Sequence, residues 1–181
     1  MLKYNYHEIE SEEAFMIMLN KAIEIAAKAH SGQVDKVGCP YILHPLRVML
    51  NYCKNESESV KICAALHDVI EDTDITLDEL RAEGFSEEIL AALDCLTKRE
   101  NEDYDDFISR VLTNEIACKT KIGDLADNMD MTRIPNPTAR DEERTKKYRK
   151  ATERIMAALP HAMHDIEETE EKAKCAEKTG K

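Results

Sequence analysis

The chain has 181 residues, with 25 Lys and Arg against 37 Asp and Glu, for a formal net charge of −12. That length suits one domain of roughly 150 residues with a short extension. The acidity disfavours a nucleic-acid backbone or an anionic membrane as partner. Glycine and proline number five each and tryptophan is absent, so the composition argues against a strand-rich fold and for helix.

The cysteines at 39, 53, 63, 95, 118 and 175 form no C-x-x-C pair. The first eleven residues carry acids and no apolar core, so they do not read as a signal peptide. No run of about 18 apolar residues is present. These features predict a cytoplasmic protein with reduced, mostly buried thiols and no membrane partner.

In chain order, apolar residues from Phe15 to Ala29 recur at three- and four-residue spacing, which predicts a helix over 11–30. Gly32, Gly38 and Pro40 then turn the chain. A second helix starts near Ile42 or Pro45, proline being tolerated in a first turn. A third runs from 57 to about 71, and Val60, Ile62, Cys63, Ala64, Ala65 and Leu66 make it the central buried helix. Thr76 with Glu79 forms a capping box for a short helix to Ala82. Further helices are predicted over 86–96, 103–112, 114–130 and 138–159, the last bounded by Ile134-Pro135-Asn136-Pro137 and by Pro160. The expectation is an all-α single domain, a helical bundle of about eight helices over 1–160, with a charged tail over 161–181.

The buried third helix ends in His67-Asp68-Val69-Ile70-Glu71-Asp72. Four titratable groups after Ala64-Ala65-Leu66 need a metal or a closed polar network, because unpaired buried charge is costly. On one helix, His67 with Glu71 and Asp68 with Asp72 are i,i+4 neighbours. His44 before Pro45, and Asp124 with Asn128 four residues on, are further candidates. Imidazole and carboxylate ligands together suit Mn²⁺, Fe²⁺ or Zn²⁺. Such a site could acidify water and screen phosphoryl oxygens, with a nearby carboxylate taking the proton.

His44, His67-Asp68 and Asp124 follow the H…HD…D order of the HD-domain metal-dependent phosphohydrolases. Gly38-Cys39-Pro40-Tyr41-Ile42-Leu43-His44-Pro45 resembles the G-x-P-Y-I-x-H-P motif of the RelA/SpoT-type hydrolases. Residues Ala64 to Thr73 resemble their A-x-L-H-D-x-x-E-D-T, and Lys121-Ile122-Gly123-Asp124 with Asn128 resembles their K-[LI]-A-D-x-x-x-N. The resemblance covers roughly 14–159 and implies a stand-alone small alarmone hydrolase with the HD-domain fold. It implies that His44, His67, Asp68 and Asp124 bind a metal, usually Mn²⁺. It implies that Glu71 and Asp72 orient and deprotonate the attacking water. Lys36, Tyr41 and Asn128 would line the nucleotide site. Arg144, Lys147 and Tyr148, stacked at i,i+3 and i,i+4 spacing, are the best candidates to face inward from the last helix. The implied reaction removes the 3′-pyrophosphate of ppGpp or pppGpp, giving GDP or GTP and pyrophosphate. Any other divalent transition metal fits the same ligands, and a homodimer is compatible with the pattern.

The chain departs from the family's motifs in places, and Thr97-Lys98 keeps only a fragment of the helix motif before the third ligand. Asp35 stands where the family has an arginine beside Lys36, and Asp127 where it has an aromatic residue or histidine. An aspartate near the base could accept from a purine amino group but cannot stack as arginine does. Adenine alarmones, nucleoside monophosphates or cyclic nucleotides therefore stay open as substrates.

Overall fold

A computed structural model describes residues 6–159, with side chains described from residue 13 onward. The tail expected over 161–181 lies outside the described residues.

The fold is all-α. Among the described residues nine α-helical segments follow one another: α1 (Tyr6–Ala29), α2 (Leu43–Arg47), α3 (Glu58–Leu66), α4 (Val69–Asp72), α5 (Leu77–Ala82), α6 (Glu87–Leu96), α7 (Tyr104–Val111), α8 (Glu115–Met129) and α9 (Ala139–Ala158). Helix α2 runs on into a π-helical turn, Val48–Tyr52, and α8 is followed by a 3₁₀ turn, Met131–Arg133. Among the described residues there is no β-strand, and an isolated bridge pairs Val34 with Pro40.

The helix boundaries follow local chemistry. Ser57, Thr76, Ser86, Asp103, Asn114 and Thr138 each accept a backbone N–H from the first turn of the helix they precede. Each satisfies one of the donors that a helix start leaves orphaned. The Thr76–Glu79 capping box forms as the sequence predicts, and Thr138 with Asp141 makes a second. Helix α1 begins at Tyr6, five residues before the position that the apolar repeat marks.

Helix α3 is the centre of the core, with Val60, Ile62, Cys63, Ala64, Ala65 and Leu66 buried. Helices α1, α6 and α8 pack around it. Ala22 and Ala26 of α1 are fully covered. Such small side chains let two helix axes approach closely, and tight packing there fixes α3 in position. Helix α8 also sits close to the π turn. A Cβ on Gly123 would lie 3.0 Å from Cys53 Sγ and 3.2 Å from Val48 Cγ1. Glycine thus sets the approach of the helix carrying Asp124 to the segment carrying His44.

One expectation is corrected. The single helix predicted from 57 to 71 is broken at His67-Asp68, which separates α3 from α4. His67 caps α3, and Asp68 has φ −100° and ψ −7°, in the sparsely populated region between the helical and extended basins. In a continuous helix, side chains at i and i+1 point about 100° apart and do not meet. The break lets His67 and Asp68 turn toward one point.

Candidate active site

Helix α2 carries His44, the α3–α4 break carries His67 and Asp68, and α8 carries Asp124. Their donor atoms converge. His44 Nε2 lies 3.3 Å from His67 Nε2, 3.1 Å from Asp124 Oδ1 and 3.5 Å from Asp68 Oδ2. His67 Nε2 lies 3.2 Å from Asp68 Oδ2 and 3.6 Å from Asp124 Oδ1. His44, His67 and Asp124 are buried and form a group able to hold a metal ion. All four residues that the sequence motifs propose as ligands are therefore brought together.

The outer hydrogen bonds decide which atoms face the centre. His67 Nδ1 is 2.9 Å from the carbonyl oxygen of Ala64, an acceptor only, so that nitrogen donates. His44 Nδ1 is 2.7 Å from Asp127 Oδ2, another acceptor, so it donates as well. In the neutral rings both Nε2 lone pairs then point at each other and at two carboxylate oxygens. Four lone pairs facing one point repel unless a cation or protons sit among them. First-row divalent ions bind such ligands at about 2.0–2.2 Å, which puts neighbouring donors roughly 3.0–3.6 Å apart. The observed spacings match, so the residues present fit a divalent metal.

Without an ion, protons take its place. Burial disfavours charge on His44 and His67, but the neighbouring carboxylates outweigh it and raise both imidazoles above their usual value. Burial likewise works against ionised Asp68 and Asp124. His67 holds Asp68 down to about 2, and Lys121 together with the two imidazoles holds Asp124 well below the carboxylate range.

Asp124 is tied on both oxygens: Lys121 Nζ lies 2.7 Å from Oδ2, and Asn128 Nδ2 donates to Oδ1 at 2.6 Å. The Asn128 amide nitrogen is thus committed to Asp124, its carboxylate and its backbone carbonyl, and only its oxygen is left to face a ligand. Tyr41 lines the pocket and donates its hydroxyl hydrogen to Asp68 Oδ2 at 2.7 Å.

The cluster lies at the bottom of a cleft of about 510 Å³. Lys36, Tyr41, Glu71, Asp72, Asn128, Arg144, Lys147 and Tyr148 all line it. Seven Lys or Arg and seven Asp or Glu line it in total, so the site is locally balanced within a chain of net charge −12. A divalent ion would make it positive. Glu71 Oε2 accepts the backbone N–H of Lys98 at 2.9 Å, which leaves Oε1 free. Burial raises the carboxyl groups of Glu71 and Asp72, so both hold a proton at higher pH than usual. On the far wall Lys147 Nζ sits 4.1 Å above the Tyr104 ring and 5.5 Å from that of Tyr148.

Asp35 does not read as a free purine acceptor. Its Oδ1 receives the backbone N–H of Val37 at 3.0 Å and of Cys39 at 2.9 Å, closing the turn before Pro40. The cysteines are not poised to react: Cys53, Cys63 and Cys118 are buried, and burial pushes Cys53 up to about 12. Against the predicted burial, Cys39 is exposed and Cys95 half-buried, and Cys175 lies outside the described residues.

The motifs assign no role to Asp127, Arg47 or Arg133. Asp127 Oδ1 accepts Arg47 Nε at 2.8 Å, and Oδ2 accepts Arg133 Nη2 at 3.0 Å as well as His44. Arg47 sits three residues after His44, and Asp127 three after Asp124, each on the same helix face as a motif residue. That spacing was the available signal.

No family model matches the chain. It is 32% identical over 154 residues to a guanosine-3′,5′-bis(diphosphate) 3′-pyrophosphohydrolase of Aquifex aeolicus, a match covering 80% of this chain and 21% of that protein. It is 29% identical over 161 residues to a probable GTP pyrophosphokinase of Mycobacterium leprae, covering 83% of this chain and 20% of that protein. A solved structure described as a metazoan ortholog of SpoT that hydrolyses ppGpp superposes with a TM-score of 0.64 at 22% identity, covering 80% of this chain and 86% of that one. The superposition shows a shared fold, and the sequence matches make the chain similar, over about four fifths of its length, to proteins named for ppGpp hydrolysis or GTP pyrophosphokinase activity. It is a homologue of proteins named ppGpp 3′-pyrophosphohydrolases, and it spans between about a tenth and about a fifth of the length of the curated relatives it matches.

Proposed function

We propose that the protein hydrolyses the 3′-pyrophosphate of (p)ppGpp-type alarmones in a Mn²⁺-dependent reaction, giving GDP or GTP and pyrophosphate. The observation that carries this reading is the convergence of His44, His67, Asp68 and Asp124 beneath a cleft that also holds Glu71, Asp72 and a wall of cations. The names of the relatives support the substrate class.

His44, His67, Asp68 and Asp124 would hold the ion. A divalent ion there supplies an acidified water and screens the phosphoryl charge. Glu71 takes a proton from the attacking water through its free Oε1, and Asp72 orients that water. The water oxygen attacks the phosphorus next to the ribose, the bond from that phosphorus to the ribose 3′-oxygen breaks, and the 3′-oxygen takes up a proton. Lys121 and Lys98 stand near the leaving pyrophosphate, while Lys36, Arg144, Lys147 and Tyr148 hold the rest of the nucleotide. Asn128 acts first on Asp124 and only through its oxygen on a ligand.

A second reading, hydrolysis of an adenine alarmone or another small nucleotide, draws on Asp35. The carboxylate at that position closes its own loop and offers no guanidinium to stack on a base. Incubation with Mn²⁺ and a panel of ppGpp, ppApp, 5′-mononucleotides and cyclic nucleotides separates the two. Pyrophosphate from ppGpp in preference to ppApp supports the first reading. Preference for ppApp supports the second, as does free phosphate from mononucleotides.

A further inference from the structure

We infer that Asp127 is a positioning residue: clamped by Arg47 and Arg133, it accepts the Nδ1–H of His44 and so turns the His44 Nε2 lone pair onto the metal. This rests on the metal-dependent reading above, and it concerns a residue at which the chain departs from the motif it otherwise follows.

Asp127 is 1% exposed, and its carboxylate accepts from three side chains. His44 Nδ1 at 2.7 Å, Arg47 Nη2 at 3.1 Å and Arg133 Nη2 at 3.0 Å surround Oδ2, and Arg47 Nε at 2.8 Å meets Oδ1. Arg133 Nη2 also donates to the Asp127 backbone carbonyl at 2.6 Å, which joins the 3₁₀ turn to the end of α8. Two guanidiniums on one carboxylate fix its plane. That plane fixes the ring of His44, and an ionised carboxylate allows His44 only the tautomer with hydrogen on Nδ1. Partners of this type on a ligand histidine typically change metal affinity by about 10–100-fold when removed.

The clamp also predicts which substitution is tolerated. An asparagine would place its oxygen where Oδ2 lies, because three donors converge there and one at Oδ1. It keeps the bond to His44, while its amide N–H faces the Arg47 Nε–H and the charge that Arg47 and Arg133 pair with is lost. An alanine leaves His44 Nδ1 with no acceptor.

The test is Mn²⁺ titration by calorimetry of the metal-free wild type, Asp127→Ala and Asp127→Asn. It is joined by long-range ¹H–¹⁵N NMR of the wild type loaded with diamagnetic Zn²⁺. The expected result is Mn²⁺ binding weakened about 10–100-fold in Asp127→Ala and restored most of the way in Asp127→Asn. In the NMR experiment, His44 should be protonated at Nδ1 and ligated at Nε2. Should Asp127→Ala fail to fold, the asparagine variant and the NMR experiment decide. Wild-type affinity in Asp127→Ala, an asparagine variant as weak as the alanine one, or an unprotonated Nδ1 would each overturn the inference. A wild type that binds no Mn²⁺ would instead overturn the metal reading beneath it.

Discussion

The hydroxyl of Tyr41 donates to Oδ2 of Asp68 at 2.7 Å, and that oxygen is the one that faces both imidazole nitrogens of the cluster. A residue from the turn before α2 thereby holds a carboxylate of the cluster on the α3–α4 break. The tyrosine proton is held firmly, since burial and the Asp68 charge both raise its pKa far above the ordinary phenol. Tyr41→Phe removes one hydrogen bond to a charged group, worth about 1.5–3 kcal/mol. Turnover per bound metal should fall roughly 10–100-fold while the fold is kept. Steady-state kinetics on the Mn²⁺-loaded variant checks this, and unchanged kcat/KM would detach Tyr41 from Asp68's role.

Glu71 is the proposed base. Glu71→Gln should leave Mn²⁺ stoichiometry intact and lower kcat by about 10²-fold or more. Burial raises the Glu71 pKa. A base must be ionised, so activity falls as pH drops through that raised value, and the acid limb lies above the ordinary glutamate range. A pH–rate profile reads this limb, which should vanish from the residual activity of the glutamine variant. A variant with the wild-type rate and limb would remove Glu71 from the mechanism.

The raised imidazole pKa values give a test of the metal site in the absence of substrate. A histidine whose folded pKa exceeds its unfolded value of 6.5 adds stability that is full below that value. The contribution is lost as pH rises through the folded value. The metal-free protein should therefore lose melting temperature on the alkaline side, where lone pairs face one another. Mn²⁺ competes with those protons. Its stabilising effect should be larger near about pH 8 than near about pH 6. Melting curves with and without Mn²⁺ measure both, and an equal shift at the two values would contradict protons and metal sharing the site.

Asp35 accepts two backbone N–H groups of its own loop. Asp35→Arg removes the acceptor of both bonds and opens the turn that carries Lys36 to the cleft. KM should rise several-fold, about 1 kcal/mol for a lost turn bond, with the ratio of guanine to adenine turnover unchanged. Asp35→Asn keeps an acceptor and should stay near wild type. A changed purine ratio in Asp35→Arg, measured on ppGpp and ppApp, would restore a direct contact with the base.

Much of this molecule is legible without coordinates. Helix starts at Ser57, Thr76, Ser86, Asn114 and Thr138 are local events, written in residues that bond their own neighbours. Buried helix α3 is visible because its apolar residues run nearly all round. The break at His67-Asp68 is not visible, because nothing in Leu66-His67-Asp68-Val69 disfavours a helix; the break serves a cluster whose other members lie on α2 and α8. Asp127 is legible only in part: its spacing from Asp124 puts it on the same helix face. Its partner His44 is 83 residues away, and no local pattern joins them. Asp35 was misleading for the opposite reason: a charged residue in a motif loop reads as a ligand contact, whereas its oxygen is spent on the backbone two and four residues on.

The central claim is water attack at phosphorus in a metal-dependent site, and one measurement meets it directly. ³¹P NMR of ppGpp incubated with the protein in ¹⁸O-enriched water, with and without Mn²⁺, follows both the bond broken and the need for the ion. The account predicts pyrophosphate carrying ¹⁸O, unlabelled GDP, and no turnover once the metal is chelated. Orthophosphate as first product, label in the nucleotide, or full activity without a divalent ion would contradict it.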